Sequence, residues 1–377
     1  MARNTLICTV GTSLFEGNLA RMTEETPGIP GNWQALKQSF ESKDWIALAN
    51  EMLKLEPTLR VCGAEINTIE ESCKKGILSL ESLFFLVSDT EYGVGTGELL
   101  KKYYSKRNDL NLRVVEYFVV KDLQDERPVD LKIHGLRNLV RQASRIIQRA
   151  GGPESVAINA TGGYKAQIAV AVILGQALSI PVLYQHERFP QIIDFPPLPI
   201  SFDYELLGEN ADILALLERG EALGSDEIGG VDEKLRVLLE EIDVDGSKLY
   251  ELGAIGQIFI EGFRIRHPKP IDLVDAGERK KFPSFREDHY PSGFKDFVEK
   301  VCKENRWIVT SNSLPYDKQR SIRGVGFSVK EIDGEKRLIG TYRNDHEDFG
   351  ARFRLHLTDE SPNALTWAAD ILNQKYA

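Results

Sequence analysis

The feature that most constrains the fold is a unit repeated through the first 200 residues. A short, continuously apolar run ends in small or polar residues and is followed by a stretch whose apolar residues recur three and four apart. Asn4 to Val10 runs into Gly11-Thr12-Ser13, Leu83 to Val87 into Ser88-Asp89-Thr90, and Ser155 to Ile158 into Asn159-Ala160-Thr161-Gly162-Gly163. Leu112 to Val120 and Ile180 to Tyr184 are two further runs. The spacing between them predicts helices at about Trp33 to Leu55, Thr96 to Tyr104, Leu136 to Arg149 and Tyr164 to Leu178. Continuous apolar strands alternating with helices are buried on both faces, which predicts an α/β fold with a mostly parallel, doubly wound sheet.

The stretch Phe189 to Phe202 holds four prolines, so it continues no helix and occupies no central strand. It marks the end of a first domain, residues 1–202. Residues 203–264 combine short apolar segments with glycine turns. Ile213 to Leu217, Val231 to Ile242 and Leu249 to Phe263 are the predicted helices of a helical or winged-helix linker. Residues 265–377 have a different pattern. Phe294 to Lys303 is an amphipathic helix, and Gly326 to Ile332 and Glu335 to Tyr342 flank an Asp333-Gly334 hairpin turn. Ala351 to Thr358 alternates apolar and polar residues, and Ser361-Pro362 opens a closing helix. These elements predict a small α+β domain with an antiparallel sheet.

A chain of 377 residues is long enough for two or three such domains. Its longest apolar stretch, Ile168 to Leu174, is far below the 18 or so residues that span a bilayer, which predicts no membrane association. The N-terminal sequence lacks the apolar core of a secretory signal, so a cytoplasmic protein is expected. The four cysteines form no CxxC pair, which points to buried reduced thiols rather than a zinc site or disulfides. The net charge of −10 is uneven. Residues 251–377 carry 21 Lys+Arg against 20 Asp+Glu, and residues 1–250 carry 26 against 37.

In a doubly wound sheet, ligands sit at the carboxyl ends of the strands, where free amides and helix N-termini hold anions. Gly11, Thr12 and Ser13 offer amides and hydroxyls there, and Asn159, Thr161, Gly162, Gly163, Tyr164 and Lys165 add amides, hydroxyls, a ring and a cation as a helix begins. Either loop alone also reads as an ordinary tight turn, and Glu65 as a capping or surface carboxylate. Neither loop is a Walker A or GxGxxG motif. The Gly93 to Gly97 run reads as a mobile loop.

Together, ICTVGTSLF, CGAEINTI at Cys62 to Ile69, FLVSDTEYG and INATGGYKAQIA resemble the CRISPR-associated Rossmann-fold (CARF) sensor domain over about residues 1–190. The resemblance implies a Rossmann-like α/β sheet, a homodimer, and a cyclic oligoadenylate as allosteric ligand, cyclic tetra-adenylate ahead of hexa-adenylate, with no other cofactor. It implies ligand contacts at Gly11, Thr12, Ser13, Asn159, Thr161, Gly162, Gly163 and Lys165, and at Ser88, Asp89 and Thr90. A two-fold cleft suits a ring of repeated nucleotides.

Such sensors usually control an effector. The Arg-x4–6-His pattern of HEPN ribonucleases is absent after residue 190. The nearest match, Arg127 to His134, falls in a predicted loop of the sensor. A PD-(D/E)xK metal nuclease would need a Glu-x-Lys that Asp317, Glu331 and Glu335 do not complete, which leaves it the weaker reading. What the region does carry, from Arg306 to His356, is 10 Lys+Arg against 7 Asp+Glu interleaved with aromatics, and four of the six histidines lie beyond residue 260.

Metal-free RNA cleavage needs a base for the 2′-hydroxyl, cations for the developing phosphorane and an acid for the leaving oxygen. Lys318, Arg320, Arg323, Arg343, His346, Arg352, Arg354 and His356 supply those types, and the last three Arg/His positions of the strand share one face by period two. An ordinary solvated sheet face carries the same types. The order helix, basic loop, antiparallel strands, C-terminal helix is similar to the RelE-type mRNA interferase fold, in architecture rather than motif. That resemblance implies a metal-independent endoribonuclease acting on mRNA at the ribosome, with ribosomal proteins as further partners. A ligand-responsive winged-helix transcription regulator, and slow self-degradation of the ligand by the sensor through Ser13 or Lys165, are the alternatives.

Overall fold

The computed structural model describes residues 3–186, 191–228, 233–267, 273–315, 324–344, 346–347 and 349–377. The chain forms two compact units, Met1–Ser201 with Gly253–Ile265, and Phe202–Leu252 with Arg266–Ala377. The 203–264 stretch is therefore shared between the two units rather than standing apart as a linker. Among the described residues no helix is long and apolar enough to cross a membrane.

The N-terminal unit is a six-stranded sheet: β1 (Arg3–Thr9), β2 (Leu78–Ser88), β3 (Val114–Val120), β4 (Val156–Asn159), β5 (Val182–Gln185) and β6 (Ile192–Phe195). The spatial order is β3-β2-β1-β4-β5-β6, parallel except for β6, which pairs antiparallel with β5. The five apolar runs are thus the five parallel strands, and the proline-rich segment adds an edge strand, the position in a sheet that tolerates proline. β1 is buried on both faces: Leu6 and Cys8 join the cluster beneath the Gly63–Lys74 and Glu91–Tyr104 helices. The Leu136–Arg149 helix contacts β2 and β3, and the Lys165–Leu178 helix contacts β5.

Three local readings change. The predicted Trp33 to Leu55 helix is two helices, Trp33–Glu41 and Trp45–Met52. Lys43 turns left-handed between them, and the Asp44 carboxylate caps the second by accepting from Ile46 and Ala47 N–H. Gly93 to Gly97, expected as a mobile loop, forms the first turns of the Glu91–Tyr104 helix. Arg127 to His134, expected as a loop, is mostly helical, with Arg127 ion-paired to Asp122 and Asp130.

The C-terminal unit holds two antiparallel sheets. A three-stranded one, β7 (Leu223–Gly224), β8 (Leu239–Val244) and β9 (Ser247–Leu252), has the order β7-β9-β8; β7 follows the Ala211–Glu218 helix, and the Glu233–Arg236 helix lies between β7 and β8. Helix was expected over Val231 to Ile242 and from Leu249. Glu233–Arg236 and Ala254–Arg266 are helical, but Leu239–Val244 and Ser247–Leu252 form a hairpin, because Asp245-Gly246, both at positive φ, closes Val244 onto Ser247.

The four-stranded sheet contains β10 (Ile308–Ser313), β11 (Gly326–Ile332), β12 (Glu335–Arg343) and β13 (Gly350–Leu357) in the order β10-β13-β12-β11. Asp333-Gly334, at φ 53° and 76°, makes the β11–β12 turn, as its sequence predicts. Phe353, Leu355 and Leu357 point into a core shared with the Phe294–Glu304 and Pro362–Tyr376 helices. Arg352, Arg354 and His356 lie on the other face.

Candidate functional site

The strand order of the N-terminal sheet reverses between β1 and β4, and the loops that leave these two strands meet there. They meet backbone against backbone: a Cβ on Gly11 would sit 2.8 Å from Gly163 N, and one on Gly162 would sit 2.9 Å from Gly11 N. The Thr9 hydroxyl, at the end of β1, donates to Gly162 C=O at 2.6 Å and ties the loops together. A depression of about 330 Å³ opens over the junction, lined by Gly11, Thr12, Ser13, Ser88, Thr161, Gly162, Gly163 and Tyr164, with Glu16, Gly17 and Arg21 at its edge.

Of the residues expected from sequence, this brings together Gly11, Thr12, Ser13, Ser88, Thr161, Gly162 and Gly163. Of the others, Asn159, Asp89 and Thr90 have structural partners. Asn159 is fully buried and holds the β4 loop, its Oδ1 accepting from Thr161 N–H at 3.1 Å and from the Thr161 hydroxyl at 2.6 Å. The Thr161 oxygen in turn accepts from Thr68 and from Gln185 N–H. Thr90 caps the Glu91–Tyr104 helix by accepting from Gly93 N–H, and Asp89 Oδ2 accepts from Asp122 N–H. Lys165 is exposed at the first position of its helix and does not line the depression. The lining cation is Arg21, which no local pattern marked.

Tyr164 donates its hydroxyl to Asp125, and burial together with that carboxylate pushes it up to about 12. Glu65, read from sequence as a cap or surface carboxylate, is fully buried under the junction. Its Oε1 accepts Gly11 N–H at 3.0 Å, and burial raises its carboxyl above the usual range.

The second candidate site is the polar face of the four-stranded sheet. Register places Thr310 and Asn312 of β10 opposite His356 and Arg354 of β13, and Thr341 of β12 opposite Arg352. Glu360, just beyond β13, is the hub. It pairs with Arg337 at 3.0 Å and Arg354 at 3.4 Å, and its Oε1 lies 3.6 Å from His356 Nδ1. His356 Nε2 faces Asn312 Oδ1 at 2.7 Å. These two acceptors favour the imidazolium, but burial, Arg354 and Arg337 oppose it, and the net shift of His356 is downward. Burial also lowers the Arg354 guanidinium, whose Nε is buried without a partner.

Arg337, Asn312 and Glu360 are functional-type residues that sequence reasoning missed, although the alternation that selected Arg354 also places Arg337 on this face. Arg343 and His346 lie elsewhere. Arg343 is opposite Gly350, six residues and about 20 Å along β13 from His356, and its Nε donates to Glu347 C=O. His346 is exposed in the β12–β13 turn. Lys318, Arg320 and Arg323 fall outside the described residues, as does Asp317 of the metal-nuclease alternative.

Residues 60–198 match the family model of a CRISPR-associated protein, Cas_APE2256. The matched segment contains Glu65, Ser88 and the β4 loop, but neither β1 nor the antiparallel sheets. No curated protein matches the chain significantly.

Proposed function

We propose that the chain is a CRISPR-defence ribonuclease gated by a cyclic oligoadenylate, cyclic tetra-adenylate first. The N-terminal unit is its Rossmann-like CARF sensor, and the C-terminal sheet is a RelE-type, metal-independent endoribonuclease acting on ribosome-bound mRNA. The observation that carries the reading is the meeting of the β1 and β4 glycine loops at the switch point, where amides, hydroxyls and Arg21 surround a depression. The family match over residues 60–198 supports a role in CRISPR defence. A homodimer would present the loops twice to a symmetric ring.

On the polar sheet face, neutral His356 takes the proton of a 2′-hydroxyl as its oxygen attacks phosphorus. Arg354 and Arg337 stabilise the phosphorane charge. The 5′-oxygen departs with a proton from solvent, leaving a 2′,3′-cyclic phosphate. Glu360 and Asn312 hold the imidazole between them.

The test is RNA cleavage by the full chain with and without cyclic tetra-adenylate, and with and without ribosomes. Cleavage should require both and should fall about 100-fold or more in Arg354→Ala and His356→Gln. The wild-type rate should drop as pH falls through the lowered His356 pKa, below about 6.5, and the His356→Gln rate should not. Ribosome-independent cleavage that needs Mg²⁺ would favour a metal nuclease. One observation favours a second reading: helix, strand, helix and β8–β9 hairpin follow one another in the order of a winged helix. Sequence-specific DNA binding altered by the ring, without RNA cleavage, would select it.

A further inference from the structure

Glu65 has no role in the reading above, yet it lies at the centre of the sensor site. It stands in the first turn of the Gly63–Lys74 helix with no exposed surface. Oε1 accepts the Gly11 amide, and Oε2 is buried with no hydrogen-bond partner. Any side chain on Gly162, which lines the depression, would collide with Oε1. Among the described residues no ion pair reaches the carboxyl group. The Cys8 thiol of β1, also fully buried, is pushed upward, chiefly by burial. The Thr68 and Thr161 hydroxyls and the Asn159 amide stand nearby and are neutral. Gln167, under Gly163, is also buried, with both polar atoms of its carboxamide unpartnered. The charges at the rim, Glu16 and Arg21, are exposed.

We propose that Glu65 is a positioning residue of the ligand site that must carry a proton when a phosphodiester anion occupies the depression, so that ligand binding takes up a proton. The inference rests on the reading of the depression as a cyclic-nucleotide site. Ionised, Glu65 places a negative charge directly beneath the incoming phosphate and holds the Gly11 amide that the anion needs. Protonated, it adds no charge and releases that amide at less cost than the ionised form would. Oε2, which has no partner in the ionised form, then carries the proton.

Calorimetric titration of the full chain with cyclic tetra-adenylate, in buffers of different ionisation enthalpy from about pH 5 to 9, tests this. The wild type should take up close to one proton per chain bound above the Glu65 pKa, and its affinity should fall by up to tenfold per pH unit there. Glu65→Gln should bind without uptake and with a flat profile. PH-independent wild-type binding, or equal uptake by the Gln variant, overturns the inference. The wild-type uptake stands by itself if the variant does not fold.

If neither protein binds the ring at any pH, the cyclic-oligoadenylate reading fails, and Glu65 is then judged by stability. A carboxyl group raised by folding contributes stability that is present at low pH and lost as pH rises from about 4.3 through the folded pKa. The melting temperature of the wild type should therefore decline relative to Glu65→Gln over that window. A constant offset at all pH values overturns the inference independently of any ligand.

Discussion

At the scale of single residues, the site where the β1 and β4 loops meet is shaped by side chains that are missing. Gly163 sits at φ +98°, and a Cβ there would strike the Gln167 carboxamide. Gly163→Ala should therefore cost about 1–3 kcal/mol through backbone strain and overpacking. Thermal melting should show the loss, and ring binding should weaken with it. Adding Gln167→Ala, which removes the struck group, should return part of the stability. An unchanged melting temperature in Gly163→Ala would mean the loop does not hold this conformation. Both glycine loops were legible in the sequence as small-residue strand ends. Glu65 was not, because a carboxylate three positions into a helical motif ordinarily caps or faces water, and only the packing of helix, β1 and β4 takes its exposure to zero. The same limit hid Glu360, whose role depends on three partners drawn from two strands.

At the scale of elements, apolar periodicity found all five parallel strands because burial on both faces leaves a continuous apolar run. It failed where glycine or a turn dominated. Gly93, Gly95 and Gly97 read as a loop, yet each marks a close approach of the helix: to Ser88, to Phe15 and Trp45, and to Tyr117 and Val87. Gly97→Ala tests this directly. Helix propensity alone predicts stabilisation by about 1 kcal/mol. A Cβ 2.6 Å from the Tyr117 ring predicts destabilisation of about 1–3 kcal/mol instead. A melting temperature that rises would refute the packing argument. Asp245-Gly246 carries the same turn signal as Asp333-Gly334, but it lies between runs whose spacing fits a helix as well as a strand. At the C-terminus, buried Asn373 accepts from Phe327 N–H and donates to Phe327 C=O, closing the free edge of β11 as a neighbouring strand would.

At the scale of the whole molecule, the units redistribute the charge that the sequence showed. Cut at residue 250, the acidity belongs to the N-terminal two thirds. Cut by compact units, residues 1–201 carry 22 Lys+Arg against 23 Asp+Glu, and residues 202–252 carry 4 against 15. The N-terminal unit is near neutral, so the polyanionic ring proposed as its ligand would meet no opposing net field there. The acidic surplus belongs to the unit that bears the Arg337, Arg354 and His356 face. A basic patch within an acidic unit should bind a free polyanion weakly, which fits the proposed action on RNA that the ribosome positions. The consequence is measurable. Asp226, Glu233 and Asp245 are exposed and lie away from that face in sequence. Replacing them together with Asn, Gln and Asn should raise the affinity of the full chain for free single-stranded RNA several-fold at about 50 mM salt, where charges interact across roughly 14 Å, and leave it unchanged at about 0.5 M. The same variant should cleave some RNA without ribosomes, at a rate that Arg354→Ala abolishes. If free RNA binds the wild type tightly, or the triple variant no better, the acidic segment does not screen the basic face, and the dependence on the ribosome must come from positioning of the RNA alone.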